Sequence, residues 1–165
     1  MLLTGLLPDI TSDPAIETAT DSLEVGRSGT IVAPVGIRPP LLAAVATRAA
    51  TPLVVLTATG RDAETLTNAL ASWIPGVAML PAWETLPHER LSPQVDTMAR
   101  RIAVLRRLVH PIAGDESAGP ISVLVVPIRA FLQPIISGLA DLEPVRVRTG
   151  DILDLTETTN RLAEL

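Results

Sequence analysis

With 165 residues, 47% of them hydrophobic and 19% charged, the chain has the size and apolar content for one good core, or for one domain and the start of another, and lies far from disordered compositions. A formal net charge of −5 denies it a general electrostatic footprint for nucleic acid, so any DNA contact has to be local. All 13 basic residues are Arg and Cys is absent, which excludes lysine Schiff bases, the P-loop lysine, thiol nucleophiles, thiolate metal sites and disulfides together.

One Phe, two Trp and no Tyr leave the core to Val, Leu, Ile and Ala, which suits an α/β layer arrangement. The N-terminal MLLTGLLPDITSD lacks the basic start and long apolar run of a signal peptide, and no stretch reads as a membrane span. A reducing, cytoplasmic location fits this composition.

Ser12-Asp13-Pro14 supplies a cap and a proline at the first helical position, so a short leading helix is expected over 15–23, running to Gly26 outside the sheet. Residues 30–33, bounded by Gly29 and Pro34, read as a first strand, and Pro39-Pro40 opens an Ala-rich helix to about Ala50. The LVVLT run at 53–57 is apolar and β-branched throughout, as expected of a strand covered on both faces. Thr59 can cap a helix over 61–73, where Leu66, Ala69, Leu70 and Trp73 fall three and four apart; Pro75-Gly76 ends it. Residues 77–80 form the next strand, and a loop over 81–93 leads into a helix ending near Val109.

In that helix Val95, Met98, Ile102, Leu105 and Val109 make one apolar stripe, which predicts a buried face and leaves Arg100, Arg101, Arg106 and Arg107 in water. The HPIAGDESAGP stretch at 110–120 reads as a mobile connection. Residues 121–126 (ISVLVV) carry the strongest strand signal, and Pro127 opens a helix to Leu132 or Ile136. Val145, Arg146, Val147 and Arg148 alternate as in a strand with one wet face, and Thr156 begins a helix whose uncapped finish at Leu165 suggests a piece of a longer polypeptide. Alternating strands and helices favour a parallel sheet with helices on both faces, joined by right-handed crossovers.

A nucleotide site in such a fold needs a Gly-rich turn with free N–H donors and a lysine after the first strand. Residues 34–40 instead read PVGIRPP, with two adjacent prolines and one glycine; Arg38 is the sole residue there suited to an anion. Glu84, His88, Glu89 and Asp96 could be arranged as acid–base machinery, but as loop residues near arginines they are better read as caps and ion-pair partners. Two His and no Cys argue against a structural zinc site, and Ser28, Ser92, Ser117 and Ser122 lack a nucleophile-elbow context. The Arg100, Arg101, Arg106 and Arg107 cluster could grip phosphate or a partner, with a docking or solubility role favoured over DNA contact because no stacking aromatics are interleaved and charged outer helix faces are commonplace. Trp83 is either an anchor folded back on the sheet or an interaction hot spot, the anchor being favoured.

The run from Leu80 to Asp96, LPAWETLPHERLSPQVD, resembles the "DWETLPYE.FSP..D" signature of the amino-terminal, UvrB-like region of the bacterial transcription-repair coupling factor family (Mfd). The matching residues are Trp83, Glu84, Thr85, Leu86, Pro87, Glu89, Ser92, Pro93 and Asp96. The blocks at 53–57, 123–133 and 145–165 are similar to neighbouring blocks of that region in order and spacing, so the resemblance runs from about residue 25 to the end.

The resemblance implies a leading segment (1–25), a degenerate RecA-like domain shaped like the first helicase-type domain of UvrB (26–141), and the beginning of a small inserted domain of the UvrA-binding type (142–165). It further implies that the whole protein is an ATP-driven DNA translocase, with ATP and magnesium used elsewhere, which displaces stalled RNA polymerase and recruits UvrA through positions beyond Leu165. UvrB carries a P-loop where this chain has PVGIRPP, and a long aromatic hairpin where it has only ETLPHERLSP. The expected function is therefore a non-catalytic docking scaffold without catalytic, cofactor or metal residues of its own and without a membrane partner. The alternatives are an active nucleotide-binding or helicase-type domain and a DNA-binding module using the Arg100–Arg107 face.

Overall fold

The computed structural model describes residues 2–21, 28–85, 92–145, 147, 149–150 and 152–164. Its centre is strand β3 (Val123–Pro127), buried at every position. Such a strand has no polar face to offer, and it takes the middle of a three-stranded parallel sheet with β1 (Leu53–Thr57) on one side and β2 (Val77–Met79) on the other. Leu53 lies opposite Val123 and Val77 opposite the same residue, and the Leu80 N–H donates to the Val125 carbonyl at 3.0 Å, continuing β2 by one rung. The expected α/β class with a parallel sheet and helices on both faces is what the chain adopts.

On one face α1 (Leu7–Thr11), α3 (Arg38–Arg48) and α4 (Gly60–Leu70) place Leu7, Ala43, Ala63 and Leu70 against Val123 and Val125. On the other, Val104 of α5 (Val95–Val109) and Ala130 of α6 (Ile128–Phe131) meet Ala78, Leu124 and Val126. The chain passes β3's place on the first face through α4 and returns on the second through α5. Reversing direction and face together gives both crossovers the same hand, as parallel sheets require.

Local chemistry explains the element ends. Thr59 accepts from the Asp62 N–H at 3.1 Å and donates its hydroxyl to Asp62 Oδ2 at 2.7 Å, closing the start of α4. After α4, Gly76 turns the chain at φ 74°, and a Cβ there would fall 2.8 Å from Ser122 Oγ and 2.9 Å from the Pro120 carbonyl. Glycine is required for both reasons.

Several expectations need correction. Residues 30–33 form no strand: they are coil, with Val32 96% exposed. A short run of one threonine and three apolar residues between a glycine and a proline satisfies a strand pattern without finding a strand to pair with. Ahead of the expected leading helix, the N-terminal segment contains a 3₁₀ turn (Thr4–Leu6) and α1, anchored by Leu7 in the core and by the Leu3 N–H bond to the Ser72 carbonyl at 2.7 Å. The leading helix is α2 (Pro14–Asp21), capped by Asp13, whose Oδ1 accepts from the Ala15 N–H at 2.8 Å; the run from 22 to Gly26 lies outside the described residues. Helix α6 stops at Phe131, short of Leu132, in the approach to Pro134.

The 110–120 connection is folded rather than open, since Asp115 Oδ1 accepts from the Ser117 N–H, the Ser117 hydroxyl and the Ala118 N–H at 2.8, 2.7 and 3.0 Å. Val145 and Val147 sit in coil instead of a strand, while Arg146 and Arg148 fall outside the described residues. Helix α7 (Leu155–Glu164) is capped by Asp154, which accepts from the Thr156 and Glu157 N–H groups at 2.8 and 3.0 Å. No helix among the described residues is long and apolar enough to cross a membrane.

Leu70 is fully buried between α4 and the sheet. Leu70→Ala should therefore destabilise the fold by about 2–5 kcal/mol in urea unfolding, whereas half-exposed Val54→Ala on β1 should cost much less.

Candidate functional site

Helix α5 sits rotated from the orientation its apolar stripe suggests. The residues facing inward are Thr97, Arg101, Val104 and Leu105, while Val95 and Val109 are 77% and 57% exposed. Of the expected buried stripe only Leu105 is fully covered. Arg101, expected in water, is 1% exposed and is the largest fully buried side chain among the described residues.

The reason lies in the loop that follows β2. The Arg101 guanidinium stacks on the Trp83 indole, 4.5 Å from the ring centroid, and Nη1 donates to the Pro81 carbonyl at 2.6 Å. Cation–π attraction in a desolvated setting contributes about 2 kcal/mol, and a charge-assisted bond to a carbonyl adds to it. Burial pulls the guanidinium below its ordinary pKa, yet arginine remains protonated at any working pH. A persistent cation thus lies beneath an aromatic lid, and Trp83, half-buried, packs as an anchor for its loop.

Three further contacts fix the loop. The Gln133 side-chain amide pairs with the Trp83 backbone as another strand would: Oε1 accepts from the Trp83 N–H at 2.8 Å and Nε2 donates to its carbonyl at 3.3 Å. Arg129 Nη2 donates to the Glu84 carbonyl at 3.1 Å. The Thr97 hydroxyl donates to Glu84 Oε1. That hydroxyl is the main cause holding the Glu84 carboxyl below its ordinary pKa, with backbone donors and the charge of Arg129 assisting against a desolvation effect. Thr97, Arg129 and Gln133 were not singled out by sequence reasoning, and their spacing from Trp83 and Glu84 gives no local signal.

The remaining candidates divide. Asp96 and Arg100 form an exposed i,i+4 ion pair at 3.0 Å. Arg106 Nη1 donates to the Leu142 carbonyl at 3.1 Å and Arg107 Nε to the Gly119 carbonyl at 2.8 Å. The four arginines therefore do not make one wet basic face. Thr85 and Pro93 are half-buried and Ser92 is exposed, whereas Leu86, Pro87, His88 and Glu89 lie outside the described residues. Of the imagined acid–base set, Glu84 is bonded to Thr97 and Asp96 to Arg100. Ser117 donates to Asp115, Ser28 is exposed, and no cluster of three metal-binding side chains occurs among the described residues.

The helix starts facing the strand ends offer little to a phosphate. Residues 34–40 follow coil, not a strand as expected: a 3₁₀ turn (Val35–Ile37) leads into α3, whose second and third positions, Pro39 and Pro40, have no N–H to donate. After β1, the start of α4 is already occupied by Thr59 and by the carboxylate of Asp62, which repels a second anion.

The chain matches no family model. The transcription-repair-coupling factors of Mycobacterium bovis and Mycobacterium tuberculosis are each 45% identical to it over 138 residues, 82% of its length. That stretch covers 11% of each of these relatives, so the chain spans a small part of their length.

Two outcomes follow from this geometry. A double-mutant cycle of Trp83→Leu and Arg101→Met in urea unfolding should give a coupling of about 1–2 kcal/mol, and additive losses would contradict the stacked pair. Thr97→Val should raise the Glu84 pKa toward its ordinary value when followed by carboxyl NMR. Because the folded-state pKa of Glu84 is depressed, its contribution is complete above the unfolded value of about 4.3 and is lost as pH falls through the folded value; in Thr97→Val that loss begins at higher pH.

Proposed function

Because the chain is related along most of its length to one segment of the transcription-repair-coupling factors, we propose that it is a UvrB-like, degenerate RecA-type unit that serves as a non-catalytic docking scaffold. The observation that carries this reading is the chemistry at the helix starts. Pro39 and Pro40 remove donors from α3, and Thr59 with Asp62 fills the start of α4, so neither place favours the phosphates of a nucleotide. Residues 81–85, held by Arg101, Gln133 and Arg129, by contrast give a surface feature of the kind a partner can read.

In this proposal ATP, magnesium, DNA and RNA polymerase belong to the activity of a whole coupling factor, a cytoplasmic DNA translocase that displaces stalled polymerase, and UvrA is the repair partner served by the scaffold. Its conformational basis is a pair of states in which intramolecular contacts hide or expose the UvrA-docking face, each state favoured by different contacts. The direct DNA-binding alternative is weakened by the arginines themselves. Arg101 is buried and Arg100 is paired with Asp96, so the four do not present one continuous basic face to a phosphate backbone.

Calorimetric titration with ATP and magnesium separates the scaffold from an active nucleotide-binding domain. No saturable heat at micromolar nucleotide is expected, and micromolar affinity would overturn the reading. In a parallel pull-down, UvrA should be retained by a chain extended by about fifty residues through the small domain and held poorly by the 165 residues alone. Failure of both to retain UvrA would remove the docking role.

A further inference from the structure

The groove at the end of α5 has a chemistry that the Trp83 clamp does not use. Ala103, Arg106, Arg107 and His110 share one side of the helix, and the small Ala103 leaves a floor between longer neighbours. The folded turn at Asp115, with Val145 and Val147, lines the other sides of this open groove, whose volume is about 490 Å³. That lies in the range of ligand pockets.

We propose that this groove receives an acidic side chain of a partner polypeptide, its carboxylate held between Arg106 and Arg107. In a chain where acidic residues outnumber arginines by 18 to 13, these two half-buried cations hold only carbonyls among the described residues. Their bonds to Leu142 and Gly119 fix the orientation of both side chains and leave guanidinium N–H groups for a ligand, and a guanidinium binds a carboxylate through two parallel bonds. The nearby acids are already engaged: Asp115 Oδ1 takes three donors from its own turn, and Asp141 pairs with His110 at 2.7 Å.

The groove suits a single carboxylate better than a polyanion. Asp115 stands on one wall, the chain carries a net charge of −5, and Val145 with Val147 offers apolar surface to a neighbouring aliphatic side chain. The choice of a polypeptide over a small anion rests on the docking reading above; the placement of the carboxylate rests on the groove alone.

The test is an NMR titration of the 165-residue chain, read at the arginine Nε–H resonances, with the peptide acetyl-Ala-Glu-Leu-amide, its Gln counterpart, inorganic phosphate and a short oligothymidylate. The Glu peptide should give saturable shifts at Arg106 and Arg107, about tenfold weaker for the Gln peptide. Arg107→Gln, and independently Ala103→Phe, which fills the floor without touching a charge, should abolish the shifts in a chain that keeps its dispersed spectrum. Equal response to the Gln peptide, stronger binding of phosphate or oligonucleotide, or no saturable shift would overturn the proposal. Binding of the Glu peptide while the extended chain fails to retain UvrA leaves this site standing and removes only the UvrA reading, and retention of UvrA by the extended chain without peptide binding does the reverse.

Discussion

A guanidinium withdrawn from water has to find its partners inside the protein, and the partners Arg101 finds decide how half of the molecule is arranged. Stacking on Trp83 draws the loop after β2 across α5, and the bond to the Pro81 carbonyl fixes the depth at which it lies. With Arg101 turned inward, Thr97 must also face inward and reaches Glu84, while Val95 and Val109 turn out to solvent. Gln133 and Arg129 then hold the same loop from the segment after β3, through the backbone of Trp83 and the carbonyl of Glu84. The arrangement needs an arginine specifically: a lysine could reach the ring but could not stack flat upon it while donating to a carbonyl in the same plane.

The sheet places this loop at the strand ends, where α/β folds present their working surfaces. Central β3 is covered on both faces, and the two flanking strands send their connections to opposite faces. In nucleotide-binding α/β proteins the positive ends of helices meet phosphates there. In this chain prolines and an aspartate stand at those ends, and the distinctive groups lie instead on the loop and on the last turns of α5.

The fold was legible where the signal was long and unambiguous. LVVLT and ISVLVV both became strands, Thr59 and Pro39-Pro40 marked helix starts, and the proline-studded 80–96 run carried the family likeness; but LVVLT, expected to be covered on both faces, is an edge strand whose Val54 and Leu56 are half-exposed. The errors share a cause, since local pattern cannot see a distant partner. The 30–33 run was apolar enough for a strand but had none beside it, and the stripe on α5 was outcompeted by an arginine whose aromatic and carbonyl partners lie eighteen and twenty residues back. Leu7 was missed because its burial depends on α3 and α4 rather than on its neighbours in sequence. Gln133 belongs to the same class, a polar residue whose role is set by a backbone fifty positions away.

The order β1-β3-β2 has a consequence for how the chain comes to be built. Neither flanking strand pairs with the other, and Leu53 waits for Val123, about seventy residues later, before it has a neighbour. Growing from its N-terminus on a ribosome, the chain can form α4 early, but no sheet exists until β3 emerges; both ladders then close together. Assembly that depends on such distant pairing is slow, and the waiting β1, with its run of bare aliphatic residues, is the stretch a chaperone would have reason to shield.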